Sequence, residues 1–298
     1  MAAILISAGC GGSRVHEVVD VRGDVRNLNL RGNELYYQGD YEGAARMYDR
    51  AKIKALSVDD RSGVADSLNN LGQLYLVAKD YSAAQEKFSQ AKEINDEIGN
   101  RNGLSANYLN LGFISIKRGD PEGAMNEFDE SLKLCREDVD RACEAQALNA
   151  KGLAAFKMGD YERAEKLFLA ALDIAKALKR HMIAAACFQN MGKLREAQDA
   201  LDSALSYYER ALEQDRMVEY SLGIAEDLTN MARIYEKLGQ LPNARDALER
   251  TFAVYVQFGL KDETLATINC LEGIALRQGD TQAANKYRAR RKALRMTK

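Results

Sequence analysis

Proline is nearly absent from this chain of 298 residues, which has only two, and tryptophan is missing altogether. An interior proline costs a helix roughly 3 kcal/mol, so this composition is compatible with long, unbroken helices. No apolar run approaches the ~20 residues of a membrane-spanning helix. The net charge of −2 gives the whole chain no attraction to nucleic acid or to anionic lipid.

The residue types that carry most enzyme chemistry are also sparse. The five cysteines include no CxxC pair, which excludes a zinc knuckle and a thioredoxin-like site. The only histidines, His16 and His181, belong to no nucleophile, metal or phosphate motif. The carboxylates are spaced as on the solvent faces of helices. We therefore expect a protein that is not an enzyme and needs neither a metal ion nor another cofactor.

A repeat of forty residues runs through most of the chain without insertion or deletion. It is most visible in four tripeptides: Gly39-Asp40-Tyr41, Lys79-Asp80-Tyr81, Gly119-Asp120-Pro121 and Gly159-Asp160-Tyr161. The same spacing links a series of small residues: Gly32, Gly72, Gly112, Gly152, Gly192 and Ala232. It also links alanines from Ala44 to Ala284, each followed four residues later by Tyr48, Phe88, Phe128, Phe168, Tyr208, Leu248 and Arg288. Arg288 breaks this last series, as a capping unit can.

Each unit of the repeat predicts two helices joined by a short turn. Gly39 suits the left-handed residue that ends the first helix, and Asp40 suits the N-cap of the second. Pro121 and Pro242 suit a first helical turn. The fifth unit is the weakest, because Asp199-Ala200-Leu201 replaces the Gly-Asp turn. We expect fourteen helices and no strand, with turns at Gly39, Lys79, Gly119, Gly159 and Gly239. The predicted units are 25–64, 65–104, 105–144, 145–184, 185–224, 225–264 and 265–298.

These marks resemble the tetratricopeptide repeat family over about nine-tenths of the chain. Gly72 with Tyr75, and Ala84 with Phe88, match that family's signature. The period of forty residues, the absent tryptophan and the absent terminal proline depart from it. The long period is similar to kinesin light chains, Rap-type quorum regulators and spindle-orientation adaptors. The resemblance implies an all-α, right-handed superhelical solenoid of antiparallel helix pairs that binds a protein or extended peptide in its concave groove.

The N-terminus lies outside the repeat and resembles the end of a bacterial lipoprotein signal. A short apolar run leads to Ser7-Ala8-Gly9 before Cys10. The run is short, no Lys or Arg precedes it, and Ser7 stands where Leu is usual. The resemblance implies that Cys10 is lipidated and that residues 1–24 form a leader and tether. The alternative is a frayed tail in which Cys10 is incidental.

An asparagine recurs in one register of the predicted first helices, at Asn70, Asn110, Asn190 and Asn230. The family resemblance places these helices on the concave groove. A side-chain amide can donate to a peptide C=O and accept from a peptide N–H, so a ladder of amides could hold an extended chain. The alternative is a tolerated polar residue on a hydrated inner face.

Charged residues suggest how the groove and the chain end differ. Lys193 and Arg233 lie one turn beyond Asn190 and Asn230, so the C-terminal half of the groove could favour an acidic ligand, although Glu196 and Glu236 oppose this. Complementing the helix dipole is sufficient reason for a second set, namely Lys117, Lys157 and Lys237. The basic segment 286–298 is more typical of a solvated last helix than of a nucleic-acid patch.

Cys135 and Cys143 flank a predicted turn, where they either pair in an oxidising compartment or remain free thiols. The function predicted from these features is a non-catalytic protein- or peptide-binding scaffold. The first hypothesis is an outer-membrane-anchored, periplasm-facing lipoprotein that assists assembly of an envelope, pilus or secretion complex. It contacts the membrane only through a lipid on Cys10 and binds no nucleic acid. The alternative is a cytoplasmic adaptor or peptide-sensing regulator.

Overall fold

A computed structural model describes residues 20–296, which form fourteen α-helices and, within that range, no strand. The helices are α1 (Val21–Tyr37), α2 (Tyr41–Leu56), α3 (Arg61–Val77), α4 (Tyr81–Glu97), α5 (Arg101–Lys117), α6 (Pro121–Glu137), α7 (Arg141–Lys157), α8 (Tyr161–Ala177), α9 (His181–Ala197), α10 (Leu201–Met217), α11 (Ser221–Lys237), α12 (Leu241–Gln257), α13 (Lys261–Arg277) and α14 (Thr281–Met296). The expected all-α architecture of seven helix pairs is confirmed. None of the described helices is long and apolar enough to cross a bilayer.

The turns between helices recur every twenty residues, both within and between units. The residue next to last in each turn has a positive φ, for example 81° at Gly39 and 60° at Lys79. Seven of these residues are glycine and six are not. Because six side chains accept this disfavoured conformation, the packing of the flanking helices enforces the turn as much as glycine permits it. All five predicted turn positions are confirmed.

The last residue of most turns caps the helix that follows. Oδ1 of Asp40 accepts a hydrogen bond from the Gly43 amide at 2.8 Å, and Asp80, Asp120 and Asp160 cap their helices in the same way. An uncapped helix start leaves backbone donors without an intrahelical partner. α10 starts after Ala200 without a side-chain cap, as the weak fifth turn predicts.

Within a helix pair, the aromatic ring of the second helix packs directly on the small residue of the first. A Cβ atom added at Gly112 would lie 2.4 Å from Cε1 of Phe128, which is far below a van der Waals contact. Equivalent contacts join four more pairs: Gly32–Tyr48, Gly72–Phe88, Gly152–Phe168 and Gly192–Tyr208. The missing side chain therefore admits a ring, which fixes the separation of the two helices.

The last unit replaces this contact with an ion pair. Glu272 stands where the first five units have glycine, and Arg288 stands where they have an aromatic ring; the sixth unit has Ala232 and Leu248 there. The Glu272 carboxylate, 9% exposed, lies 2.9 Å from the guanidinium groups of both Arg288 and Arg291. The ion pair thus takes the place of the glycine–ring contact between α13 and α14.

Stacking of the units makes a continuous core and a distinct inner face. Successive first helices contact one another from α1 through α9, in addition to their contacts with the adjoining second helices. Second helices reach one another through long side chains, as in the hydrogen bond that Tyr287 of α14 donates to Glu249 of α12, so they lie on the wider, outer side. The first helices therefore line the concave side, as the family resemblance implied.

Cys135, at the end of α6, and Cys143, at the start of α7, form a disulfide across the junction of the third and fourth units. Their Cα atoms lie 5.4 Å apart. The sequence left open whether these cysteines pair or remain free thiols, and the structure has them paired. Cys187 is buried and Cys270 is exposed.

The glycine–ring contact predicts that alanine substitution at two glycines of first helices changes stability in different ways. Gly112→Ala forces a methyl group against Phe128, so we expect it to destabilise the fold by about 1–3 kcal/mol. Thermal unfolding followed by circular dichroism measures the effect as a lower Tm.

Gly273→Ala is the matched control, because an added Cβ there meets no atom within 4 Å. Alanine is the better helix former, so this variant should be as stable as the parent or more stable by up to about 1 kcal/mol. Equal Tm values for the two variants would contradict the packing role of Gly112.

Candidate functional site

The predicted asparagine register lies on the inner face, where three of its members bond to an asparagine of the preceding unit that stands one position before the register. Nδ2 of Asn110 donates to Oδ1 of Asn69 at 2.9 Å, and Nδ2 of Asn190 donates to Oδ1 of Asn149 at 3.1 Å. The bond from Asn70 to Asn29 is longer, at 3.4 Å. The structure thus gives these amides a role in joining units, beside the ligand role predicted from the sequence.

The fourth member of the register, Asn230, sits behind Arg233. Oδ1 of Asn230 accepts from the Arg233 guanidinium at 2.9 Å, whereas its Nδ2 is buried without a hydrogen-bond partner. Only 8% of Asn230 is exposed, so a ligand reaches its amide only if Arg233 moves. Asn230 therefore orients Arg233 in this structure.

Three of the predicted site residues, Asn190, Lys193 and Arg233, meet in one hollow of about 610 Å³ on the inner face. We call this site the basic hollow. Its lining comes from α5, α7, α9 and α11: Phe113, Ile116, Lys117, Leu153, Phe156, Lys157, Asn190, Lys193, Glu196, Ala197, Arg233 and Lys237. Asn70 and Asn110 line other hollows, nearer the N-terminus.

Positive charge predominates in the basic hollow, which has five Lys or Arg side chains and one carboxylate. That carboxylate, Glu196, lies 2.8 Å from Arg233 and 2.9 Å from Lys237, while Lys193 reaches Glu226 at 3.2 Å. Sequence analysis placed Glu196 in opposition to a basic groove, but one carboxylate offsets only part of this charge. The hollow keeps a net positive potential that favours an anionic group.

Lys117 and Lys157 have no carboxylate partner among residues 20–296. Sequence reasoning explained them, with Lys237, as complements of helix dipoles and did not include them in the site. The repeat held the signal, because these lysines share one position spaced by forty or eighty residues. Side chains in one register line one groove wherever the units stack regularly.

A buried acid pair lies beside the basic hollow. Asp215 in α10 is 2% exposed and Asp227 in α11 is fully buried. Gln189, adjacent to Asn190, donates to Oδ1 of Asp227 at 2.8 Å. Burial, together with the nearby charges of Asp215 and Glu226, raises the pKa of Asp227 to about 8. Burial and Glu226 likewise raise the pKa of Asp215 to about 6. The pair therefore retains a proton near neutral pH.

Family models described as Tetratricopeptide repeat match residues 29–97, 103–176 and 143–217. Together they cover more than half of the chain, which belongs to the tetratricopeptide repeat family. A model described as Anaphase-promoting complex subunit 5 matches residues 181–281. Comparison with curated proteins gives no match.

Solved structures share the fold at low sequence identity. NprR in complex with its cognate peptide NprX has a TM-score of 0.68 and 16% identity over 92% of this chain and 79% of that one. Aspartyl phosphate phosphatase F from Bacillus subtilis has a TM-score of 0.63 and 15% identity over 92% of this chain and 70% of that one. A Rap protein complexed with competence and sporulation factor has a TM-score of 0.62 and 17% identity over 87% of this chain and 76% of that one. At these identities the likeness shows the fold alone.

Two further features considered in the sequence are a lipidation site and a metal site. Cys10, the predicted lipidation site, lies outside the described residues. Within residues 20–296 no cluster of His, Cys, Asp and Glu has the arrangement of a metal site.

The acid pair predicts an unusual dependence of stability on pH. Between about pH 4 and 8 the folded chain holds protons on Asp227 and Asp215 that the unfolded chain releases, so this contribution to stability falls as pH rises. Asp227→Asn keeps the bond from Gln189 without the buried charge. We expect its Tm to exceed that of the parent at pH 8, and the difference to shrink toward pH 5.

Asp246→Asn is the control, because the Asp246 side chain is 74% exposed on α12. Its Tm should follow that of the parent across the same range. A constant difference between the Asp227→Asn variant and the parent from pH 5 to 8 would show that Asp227 does not titrate in this window.

Proposed function

We propose that this tetratricopeptide repeat protein is a non-catalytic scaffold that binds an extended peptide segment through the basic hollow. The observation that carries the proposal is the convergence of five cations on one concave site whose only carboxylate is already shared by Arg233 and Lys237. An acidic side chain or a terminal carboxylate complements this charge. Such a group would supply an ion-pair partner to Lys117 and Lys157.

The apolar part of the lining supports a peptide rather than a free inorganic anion. Phe113, Ile116, Leu153 and Phe156 border the cations. Phe113 is 37% exposed, so its ring offers apolar surface that a ligand side chain would remove from water. Asn190 adds an amide that can bond to a peptide group. The solved complexes of NprR with NprX and of a Rap protein with competence and sporulation factor have similar folds, which supports peptide binding on this architecture.

The ligand is tested with a displayed library of random heptapeptides, from which bound peptides are selected and then synthesised. We expect selected peptides to be enriched in Asp and Glu. Asn190→Ala removes one hydrogen bond of about 0.5–1.5 kcal/mol, so affinity should fall roughly three- to twelve-fold in calorimetry. The combined change Lys193→Ala and Arg233→Ala should weaken the acidic preference, because it removes two of the five cations.

Lys166→Ala serves as the control, because Lys166 pairs with Glu162 on the exposed face of α8, away from the groove. Its affinity should equal that of the parent. If no peptides are enriched, or if those selected bind the Lys193 and Arg233 variant equally well, the basic hollow is not the ligand site.

For the setting of this scaffold we propose a periplasm-facing lipoprotein, anchored to the outer membrane through Cys10, that assists assembly of an envelope, pilus or secretion complex. The disulfide between Cys135 and Cys143 supports an oxidising compartment, because structural disulfides are rare in cytosolic proteins. The alternative is a cytoplasmic peptide-sensing regulator, which the likeness to NprR with its peptide supports.

Radiolabelled palmitate separates the two settings. The gene is expressed in a Gram-negative host, including any codons in frame before Met1. We expect label on the parent, none on Cys10→Ala, and loss of the variant from the membrane fraction. Cys270→Ala, a change at an exposed cysteine, is the matched control and should stay labelled. A parent protein that carries no label and stays out of the membrane fraction would favour the cytoplasmic alternative.

A further inference from the structure

The two ends of the superhelix meet. The turn between α1 and α2 lies against the turn between α12 and α13, where a Cβ atom on Gly39 would be 2.4 Å from the carbonyl oxygen of Phe258. Lys79, which follows α3, has its Nζ 3.8 Å from Asp262 and 3.5 Å from Glu263, both in α13. We call this contact the seam. It brings the first two units against the last two.

A pocket of about 550 Å³ opens at the seam, and both ends of the chain contribute its walls. One end supplies Tyr36, Tyr41 and Leu76, and the other supplies Leu222, Tyr255 and Leu260. We call this the seam pocket. Burial raises the pKa of Tyr36 to about 12 and raises the pKa of Tyr255, so both rings stay uncharged at neutral pH. Aromatic and aliphatic side chains form most of the lining.

The seam pocket adjoins the basic hollow, because Phe113 and Lys117 line both. A ligand in one pocket therefore lies next to the other pocket, with the side chains of Phe113 and Lys117 from one turn of α5 between them. The two sites differ in chemistry. The basic hollow presents mainly cations, whereas the seam pocket presents mainly rings and aliphatic groups, together with Lys79, Lys117, Glu226 and Glu263.

We propose that the seam pocket is a second subsite of the peptide site, and that it receives an aromatic or bulky aliphatic side chain of the peptide whose acidic residue occupies the basic hollow. The inference rests on the proposed function. Its chemistry follows from the lining, since an apolar side chain gains free energy by leaving water for these walls. Its existence depends on the seam, because neither end alone encloses the pocket.

The seam is a weak contact by comparison with the interfaces between units. The side chains of Lys79 and Asp262 are 56% and 78% exposed, and exposed ion pairs stabilise a fold little. A substitution in the seam is therefore expected to separate the ends without unfolding the units. That property makes the subsite testable without disturbing the basic hollow.

The seam is first tested in the parent by carbodiimide coupling, which joins a lysine amine to a carboxylate that contacts it. Mass spectrometry should find a link from Lys79 to Asp262 or Glu263. Without that link the ends do not meet in solution, and the proposal is overturned.

The subsite is then tested with the random-heptapeptide library. The parent should select peptides that carry an aromatic or bulky aliphatic residue in addition to an acidic one. Replacing that residue by alanine should weaken binding to the parent roughly tenfold. Lys79→Glu reverses the charge facing Asp262 and Glu263, and in this variant the same alanine change should weaken binding less than twofold.

Val77→Trp places a large ring in the wall of the seam pocket without touching the ion pairs. It should also remove the apolar preference and keep the acidic one. Val256→Trp is the matched control, because Val256 is 52% exposed on α12 and does not line the pocket. This control should select the same peptides as the parent.

The outcomes separate the two proposals. Acidic peptides without an apolar preference in the parent overturn the seam pocket and leave the basic hollow in place. An apolar preference that survives both Lys79→Glu and Val77→Trp also overturns it. No enrichment of any peptide overturns the proposed function, and the subsite with it.

Discussion

The contact of one aromatic ring with one glycine sets the spacing of the first five helix pairs, and the regular stacking of those units follows from that spacing. Phe128 on Gly112 leaves no room for a single methyl group. Helices held this closely pair at a constant offset, so turns of nearly constant length connect them and every unit presents the same positions inward. The sixth unit has Ala232 and Leu248 in place of this contact, and the seventh has the ion pair of Glu272 with Arg288.

Polar contacts then join the units, and each junction uses a different pair. Asn95 donates to Asn107 at 2.7 Å between α4 and α5. Three units later the same two positions hold Asp215 and Asp227. Between them in the chain, the junction of α6 and α7 has a disulfide instead. A buried amide pair is satisfied at any pH, whereas a buried acid pair needs a proton, so the junction of α10 and α11 couples the stacking of units to pH.

The groove acquires its chemistry from register. Each first helix turns the same three positions inward, and these hold apolar residues such as Phe113 and Ile116 in one unit and Lys193 and Glu196 two units later. The basic hollow lies where the two sets meet. Because the superhelix also brings its ends together, the apolar side of that hollow extends into the seam pocket. A ligand site with both clustered charge and apolar surface thus arises where several units of the repeat meet.

The sequence by itself determined the seven helix pairs, their turns and their caps, because glycine at Gly39 and aspartate at Asp40 act through local backbone geometry. It also predicted Lys193 and Arg233 as groove residues, since register follows from the period. Only the tertiary structure paired Asn190 with Asn149 and put Lys117 beside Lys193. The seam between Lys79 and Glu263 depends on the accumulated twist of all the units, a long-range quantity that no local pattern of residues encodes.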